Sequence, residues 1–356
     1  MAGTGKGLLL AASTRDDELT ALAGARAAHS LPVANRPLLS YGLGAMRAAG
    51  IEDVAVIVSP GTVRDVRALL TGSTDGSQRI GCLEIGEPDG LVQALRAATE
   101  FLDGRPVMVH LGDALVSQPL PPLFEELERS GADAILLVRN GAELGAQTPA
   151  PGGVVRPLRL VEDKPVPPAE QALAGVFVLG PGGVDAALAL PDHAGVPDIV
   201  RALGETGGRL ETRIVSGSWK YSGAVDGLLE ANRMVLDEIQ TDTAGCDLSE
   251  ARIEGRVQIH PTAVVERSTV RGPAVIGPRA VLQDAFVGPY SAVGAGVRLE
   301  GAEVEHSIVL DNAVIRHIGP RLEDSLVGSG ATVTRDFAFP SGLRLRVGRR
   351  AEVLLA

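Results

Sequence analysis

Apolar residues in the second half of the chain recur at every sixth position. One series is Val275, Val281, Val287, Val293 and Leu299, and a second is Val264, Val270, Ile276 and Leu282. An α-helix repeats about every 3.6 residues and a strand every two, so neither accounts for this spacing. Coils of short strands do, and we expect a left-handed parallel β-helix over about 250–345. We expect the first four valines to stack in one row. A β-sandwich is the alternative.

The first half of the chain has a different pattern, in which short apolar runs alternate with helix-like stretches. The runs are 7–12, 54–58, 107–111, 134–138 and 174–179, and the helix-like stretches are 90–102, 122–130 and a closing helix over 226–240. This alternation is typical of an α/β, Rossmann-like domain with a mainly parallel sheet. We therefore predict two domains, 1–240 and 241–356.

The composition excludes several classes of protein. The 356 residues carry a formal charge of −11, and their scattered cations cannot neutralise a nucleic-acid backbone. No apolar run approaches the roughly 20 residues of a membrane span. We expect a cytoplasmic protein that binds neither nucleic acid nor membranes. Cys82 and Cys246 stand alone, outside any Cys-x-x-Cys spacing, and imply neither a disulfide nor a metal site.

A series of motifs runs along nearly the whole chain. The longest is Ser-Leu-Pro-Val-Ala-Asn-Arg-Pro-Leu-Leu, from Ser30 to Leu39. In order follow Gly90-Leu91, Leu111-Gly112-Asp113, Leu160-Val161-Glu162 with Lys164-Pro165, Ala174-Gly175-Val176-Phe177, Trp219-Lys220, Leu229-Glu230-Ala231-Asn232-Arg233 and Val287-Gly288-Pro289-Tyr290-Ser291. Together they resemble the long form of the glucose-1-phosphate thymidylyltransferases, in the sugar-1-phosphate nucleotidylyltransferase family. The resemblance implies a nucleotidyltransferase-like domain before the β-helix, and a place in antibiotic or polysaccharide biosynthesis.

The resemblance also implies a reaction in which a sugar 1-phosphate attacks the α-phosphorus of a nucleoside triphosphate and releases pyrophosphate. Both reactants are anions, so catalysis depends on backbone amides, Mg²⁺, Arg and Lys. The family's phosphate loop reads Gly-Gly-x-Gly-Thr-Arg-Leu. This chain has no glycine between Leu10 and Leu19, and it places Glu18 opposite the family's Arg. The negative charges of residues 16–18 would repel a triphosphate. The alternative is that these residues are only the acidic start of a helix, which the helix dipole favours.

Further family positions are also changed. Ala28 stands where the family has a phosphate-binding Lys, and Tyr221 stands where it has the second Mg²⁺ carboxylate. Asp113 matches the first carboxylate, and Asp226 is a weak stand-in for the second. The base-reading Gln corresponds to Glu84 or Ile85, and the sugar-binding stretch corresponds to 194–197. The remaining candidates for substrate binding are Arg15, Arg26, Gly90, Glu162, Lys164 and Lys220. Arg139 is a further candidate to face the cleft. His29 is either a packing residue or a replacement acid–base group.

Three functions are compatible with these substitutions. The first is a pseudoenzyme that has lost nucleotidyl transfer and acts as a regulatory or scaffold subunit, in a homo-oligomer or with an active paralogue. The second is an atypical nucleotidyltransferase, or a repurposed enzyme acting on a phosphorylated biosynthetic intermediate, and Mg²⁺ would be needed only if the chain is active. The third is a β-helix acyltransferase with His306 or His317 as the base.

Overall fold

The structure is a computed structural model of the chain. It describes residues 5–14, 17–25, 27–71, 78–117, 119–140, 171–215 and 217–335. The chain forms two compact units: Met1–Arg15, Arg26–Ser30 and Pro37–Ser222 make up the first, and Asp16–Ala25, Leu31–Arg36 and Gly223–Ala356 make up the second. The division at residue 240 stays a prediction. Among the described residues, no helix is long and apolar enough to cross a membrane.

The elements up to residue 236 alternate between strands and helices. The strands are β1 Lys6–Leu10, β2 Pro32–Val33, β3 Arg36–Pro37, β4 Asp53–Val58, β5 Arg79–Glu84, β6 Val107–Leu111, β7 Ala114–Val116, β8 Ala134–Asn140, β9 Gln171–Leu179, β10 Leu210–Ile214 and β11 Ser218–Lys220. The helices are α1 Glu18–Leu22, α2 Leu38–Ala48, α3 Val63–Thr71, α4 Leu91–Ala97, α5 Thr99–Leu102, α6 Leu123–Ser130, α7 Pro181–Leu188, α8 Val196–Thr206 and α9 Val225–Leu236, with a 3₁₀ turn at Ala28–Ser30. The single helix predicted over 90–102 is divided into α4 and α5 at Ala98.

The first unit is built on a seven-stranded sheet in the order β10-β8-β9-β6-β1-β4-β5. Only β9 among these strands runs antiparallel to its neighbours, β6 and β8, so the predicted mainly parallel sheet is confirmed. Both faces are apolar. Leu8 packs into the cluster on one face and Leu9 into the cluster on the other, because successive side chains of a strand point to opposite sides.

The second unit contains the β-helix. Its strands are β12 Asp247–Ser249, β13 Arg252–Glu254, β14 Val257–Ile259, β15 Val264–Glu266, β16 Thr269–Arg271, β17 Ala274–Ile276, β18 Val281–Gln283, β19 Phe286–Val287, β20 Ser291–Val293, β21 Arg298–Glu300, β22 Glu303–Glu305, β23 Ile308–Val309, β24 Val314–Arg316, β25 Leu322–Glu323, β26 Leu326–Val327 and β27 Thr332–Thr334. They form three parallel sheets: β12-β15-β18-β21-β24-β27, β13-β16-β19-β22-β25 and β14-β17-β20-β23-β26. The parallel β-helix is therefore confirmed.

The predicted row of valines is wrong. Val275, Val281 and Val287 lie on the successive strands β17, β18 and β19, which belong to three different sheets. Val293 lies on β20, which pairs with β17, but Val275 is opposite Ala292 there and Val293 is opposite Ile276. Stacked rows run instead through residues one full coil apart, as in Val265, Leu282 and Leu299. Each coil has three sides and each side takes about six residues. The six-residue spacing therefore marks the next side of one coil, and the next coil comes about 17 residues later.

The corners of the β-helix have left-handed backbone conformations. One corner series contains Glu250, Arg267, Asp284, Gly301 and His317, and another contains Tyr290, His306 and Asp324, all with positive φ. His306 stacks on Tyr290 with 4.9 Å between the ring centroids and lies 4.0 Å from an Asp324 oxygen. The two histidines considered as acyl-transfer bases thus occupy the same corner positions as residues of other types.

Three separate motifs of the resemblance meet within the second unit through one buried side chain. Asn232, on α9, is fully buried. Its Oδ1 accepts the Ala34 N–H at 2.9 Å, and its Nδ2 donates to the Tyr290 carbonyl at 3.0 Å. Asn35 Nδ2 adds a bond to the Val293 carbonyl at 2.7 Å. These motifs therefore hold the segment at 31–36 to α9 and the β-helix.

Candidate functional site

A cleft of about 400 Å³ opens in the first unit, where the parallel strands β1 and β6 end. Ligands of open α/β sheets bind at this carboxyl edge. The lining residues are Leu10, Ala11, Ala12, Ser13, Ala28, His29, Ile57, Ile85, Pro88, Asp89, Gly90, Leu91, Ala94, Leu111, Gly112, Asp113, Leu173, Gly195, Val196, Pro197 and Lys220. Ala28, Gly90, Asp113 and Lys220 are therefore brought together, and His29, Ile85 and 195–197 from the other predicted positions join them.

The loop after β1 is tied into the sheet. Ala11 and Ala12 are buried. The Ala11 N–H donates to the Ile57 carbonyl at 2.9 Å, and Ser59 Oγ donates to the Ala12 carbonyl at 2.6 Å. A phosphate loop offers free backbone N–H groups to its anion. The Ala11 N–H is already used by the protein, and the methyl groups of both alanines occupy space at the cleft.

The acidic stretch after this loop begins a helix. Asp17 is the N-cap of α1, where its Oδ1 accepts the Thr20 N–H at 3.0 Å. This agrees with the interpretation of the acidic residues as a helix start. Glu18 is the first residue of α1, and its side chain lies outside the described part of the structure, as do Arg15 and Arg26.

The position of the family's Lys carries a buried methyl group. Ala28 is only 3% exposed and lies in the 3₁₀ turn. His29, beside it, is also 3% exposed, and burial lowers its pKa to about 4, against a smaller raising effect of the Asp65 carboxylate. The imidazole is therefore neutral at pH 7. Its Nε2 has no hydrogen-bond partner among the described residues, so His29 supplies no positive charge in place of the Lys.

The two positions of the family's metal carboxylates lie together at the end of one antiparallel strand pair, β7 and β11. Strand β11 pairs antiparallel with β7, with Lys220 opposite Ala114, and the Tyr221 N–H donates to the Asp113 carbonyl at 2.9 Å. Tyr221 is 4% exposed and its ring meets Trp219 edge-on at 6.4 Å. One carboxylate and a buried phenol do not form the oxygen-rich site that Mg²⁺ requires.

The described residues hold no other group suited to a metal. No three His, Cys, Asp or Glu side chains converge within that part of the chain. Asp226, the proposed stand-in, is an exposed residue in the first turn of α9 and belongs to the second unit. The residues that the structure describes therefore do not fit the family's Mg²⁺.

Gly90 is required by backbone packing. A Cβ at this residue would lie 2.5 Å from the Asp192 carbonyl oxygen and 2.8 Å from the His193 Cα. The N–H groups at the start of α4 are also in use, because those of Leu91 and Val92 both donate to the Ala194 carbonyl. This helix start cannot receive a phosphate, and Gly90 contributes to the cleft mainly by letting the 192–194 backbone approach.

The groups expected to recognise the base and the sugar are replaced by apolar or occupied ones. Ile85 is buried in the cleft wall and Glu84 is exposed at the end of β5. Gly195, Val196 and Pro197 also line the cleft. The Asp198 carboxylate accepts the Gly195 N–H at 3.0 Å, which lowers the pKa of Asp198. The sequence analysis missed Asp89 and Leu173 as lining residues, although Asp89 directly precedes the Gly90-Leu91 motif.

Some predicted site residues remain untested. Glu162 and Lys164 lie outside the described residues, and so does the side chain of Arg139 on β8. Lys220 is half-buried, ends β11 and lines the cleft. Among the described lining residues, Lys220 is the single cation, against the carboxylates of Asp89 and Asp113.

The chain is similar to known nucleotidyltransferases along most of its length. The family model described as nucleotidyl transferase matches residues 12–238. A glucose-1-phosphate thymidylyltransferase of Streptomyces griseus is 32% identical over 351 residues, which cover 96% of this chain and 97% of that protein. The low-salt glycan biosynthesis nucleotidyltransferase Agl11 of Haloferax volcanii is also 32% identical, covering 98% and 100%.

A solved structure supports the fold. A Bacillus anthracis protein crystallised with sucrose, and named after glucose-1-phosphate thymidylyltransferase, superposes with a TM-score of 0.54 at 22% identity, over 67% of this chain and 97% of its own. By its α/β sheet, its cleft at the carboxyl edge and these matches, the chain belongs to the nucleotidyl transferase family, among its sugar-1-phosphate nucleotidylyltransferase-like members.

Proposed function

We propose that this chain is a nucleotidyl transferase homologue that no longer transfers nucleotides and acts as a regulatory or scaffold subunit. The observation that carries the proposal is the end of the β7–β11 strand pair, at Asp113 and Tyr221. The backbone geometry brings the two positions together, but the second one holds a buried phenol. A phenol with an ordinary pKa near 10 is a poor ligand for Mg²⁺.

The charge balance of the cleft supports the same proposal. Among the described lining residues, Lys220 is accompanied by the carboxylates of Asp89 and Asp113, and His29 is neutral because burial lowers its pKa to about 4. Two like charges about 6 Å apart repel by about 3 kcal/mol at an effective dielectric of about 20. A nucleoside triphosphate brings several negative charges to a cleft whose described residues supply one positive charge. Its binding there is therefore disfavoured.

The volume of the cleft also supports the loss of nucleotidyl transfer. A cleft of about 400 Å³ lies near the lower end of the range of about 300–1,000 Å³ for small-molecule sites. Nucleotidyl transfer needs a nucleotide and a sugar phosphate side by side. A cleft of about 400 Å³ suits one compact ligand better than two substrates side by side.

In this proposal, the β-helix serves assembly. Parallel β-helices have ends and flat faces that commonly pack on other subunits. The partner would be a second copy of this chain or an active paralogue, in a cytoplasmic pathway that makes sugar nucleotides for polysaccharides or antibiotics.

The test measures pyrophosphate release from dTTP and glucose 1-phosphate with Mg²⁺, with the Streptomyces griseus relative as the positive control. Loss of one preorganised charge-stabilising group typically costs about 10²- to 10³-fold in rate. We expect the full chain to release at most a trace of pyrophosphate. Turnover at the rate of the positive control would refute the proposal and favour an active enzyme with a rebuilt site.

A revertant sharpens the test. The double variant Ala28→Lys with Tyr221→Asp restores one cation and one carboxylate at positions that line the cleft or border it. We expect it to bind dTTP with Mg²⁺ more tightly than the unmodified chain. The matched control, Ala28→Lys with Tyr221→Asn, has a similar shape without the metal-binding charge, and it should lack any Mg²⁺-dependent gain.

A further inference from the structure

One side of the β-helix turns valines outward. In the sheet β12-β15-β18-β21-β24-β27, the middle residue of each strand points inward, and Val265 and Leu282 are buried in the core in this way. The first and third residues of each strand point outward, because successive side chains of a strand alternate between its two faces. Val264, Val281 and Val314 hold such outward positions and are half-exposed. We call the side formed by these first and third residues the valine face.

The outward positions of the other two sheets are already satisfied. On β14-β17-β20-β23-β26, the outward residues Ala292 and Ile308 are 0% and 2% exposed, so this side is covered. On β13-β16-β19-β22-β25, Arg271 pairs with Glu254 at 2.8 Å, and its guanidinium lies 5.8 Å from the centre of the Phe286 ring. Among the described sides of the β-helix, the valine face is therefore the one whose apolar residues remain to be covered.

A flat sheet face can pack on a second copy of itself about a two-fold axis in two ways. If the two β-helices are parallel, each strand faces the same strand of the copy, and its first residue faces the third. Val264 would then lie opposite Glu266 of the second copy, and Val314 would lie opposite Arg316. Each of these charges would lose hydration against methyl groups without gaining a partner. The parallel arrangement is therefore disfavoured.

If the two β-helices are antiparallel, the order of the strands is reversed and first residues face first residues. Full overlap of the six strands places β15 opposite β24 of the second copy. Val264 then lies opposite Val314, and Glu266 lies opposite Arg316. Apolar groups meet apolar groups and opposite charges meet, which is the complementarity that specific interfaces show.

The two central strands are also compatible in the antiparallel arrangement. Strand β18 lies opposite β21 of the second copy, so Val281 faces Arg298 and Gln283 faces Glu300. The aliphatic part of an Arg side chain covers a valine while its charge stays in water, and a Gln amide donates to a carboxylate. No two like charges lie directly opposite each other in this register.

We propose that the valine face binds a second copy of this chain in an antiparallel, two-fold symmetric dimer. Six strands about 4.8 Å apart make the face about 29 Å long, and about six residues a side make it about 20 Å wide. Two copies then bury on the order of 1,000 Å² in total, at the lower limit for a specific interface. The dimer is therefore reversible. This inference rests on the assembly role in the proposed function, because it names the partner and the surface.

Sedimentation equilibrium of the full chain tests the dimer. We expect reversible association to twice the 36.8 kDa of one chain as the concentration rises through the micromolar range. Val264→Lys should weaken this association at least about tenfold, because its ammonium would face Val314 of the second copy. In the parallel arrangement, the same ammonium would face Glu266 and strengthen the association.

The matched control is Thr269→Lys. Thr269 is also half-buried and outward-facing, but it lies on the neighbouring sheet, so this variant should associate like the unmodified chain. A mixture provides a second test. Val314→Asp should also weaken self-association, and mixing it with Val264→Lys should give a heterodimer tighter than either homodimer, since the ammonium at 264 then faces the carboxylate at 314. Circular dichroism checks that each variant folds.

The outcomes separate the parts of the proposal. A monomer at all concentrations, or association unchanged in Val264→Lys, would overturn the valine face as the interface. An equal loss in Thr269→Lys would do the same. Stronger association of Val264→Lys, or no gain on mixing, would overturn the antiparallel arrangement, and a trimer would overturn the two-fold symmetry.

The two proposals fail in different assays. Pyrophosphate release by the unmodified chain would refute the loss of transfer, whatever the valine face does. Self-association that does not depend on Val264 would refute this interface while leaving the loss of transfer and an assembly role standing.

Discussion

Replacing Asn232→Ala should destabilise the second unit more than any exposed substitution nearby. The side chain is fully buried and satisfies two backbone groups, the Ala34 N–H and the Tyr290 carbonyl. Alanine can replace neither bond. A buried polar group left without a partner costs about 1–3 kcal/mol, so two groups should cost about 2–6 kcal/mol in the free energy of unfolding. Asn232→Asp should be as harmful, because it loses the donor and buries a charge.

Two measurements check this value. Urea unfolding followed by circular dichroism gives the free energy, and hydrogen exchange of the Ala34 amide gives the local effect, because Asn232 Oδ1 accepts that N–H. The control is Arg233→Ala, which removes half-exposed ion pairs to Glu230 and Asp237 and should cost less than about 1 kcal/mol. If Asn232→Ala costs no more than this control, or Ala34 exchange is unchanged, the reasoning is wrong.

Stability should fall as the pH drops from 6.5 to about 4, because burial lowers the pKa of His29 and His110 to about 4 while the unfolded imidazoles take up protons near 6.5. Each contributes up to about 3 kcal/mol, and urea midpoints of His110→Gln should depend less on pH than those of the unmodified chain. Gly90→Ala should cost about 1–3 kcal/mol and disturb the cleft, because its Cβ would lie 2.5 Å from the Asp192 carbonyl oxygen, whereas Gly86→Ala meets nothing within 4 Å and should be neutral. Light scattering at micromolar concentration should give a mass above the 36.8 kDa of one chain, and a clean monomer without any partner in a pull-down would contradict the assembly role.

The β-helix shows how a correct pattern can be given the wrong geometry. The recurrence at six residues predicted the fold class, because each side of a coil needs an inward apolar residue. It did not show which residues stack. Val275 and Val281 are neighbours in the pattern but lie on different sheets, while Val265 and Leu282 stack across coils. Strand pairing joins residues a full coil apart, and the sequence spacing of one side carries no information about it.

Local signals also limited the prediction of the α/β sheet. Strands such as β6 were found because they are apolar along their whole length, as central parallel strands are. The outer strands β5 and β10 were missed because exposed or charged residues interrupt their apolar ones. The split between α4 and α5 also has no strong signal in the sequence, since Ala98 is an ordinary helix former.

The sequence by itself determined the family, the two kinds of architecture and the substitutions at Ala28 and Tyr221, because these depend on residue identity and local spacing. Only the tertiary structure decided what those residues do. Gly90 is explained by the distant backbone of Asp192 and His193, and Asn232 by bonds to two distant segments. Lys220 was one candidate cation among several in the sequence. The fold buries its neighbours and brings it to the same cleft as Ala28. Contacts between residues far apart in the chain are set by packing, which residue spacing alone does not record.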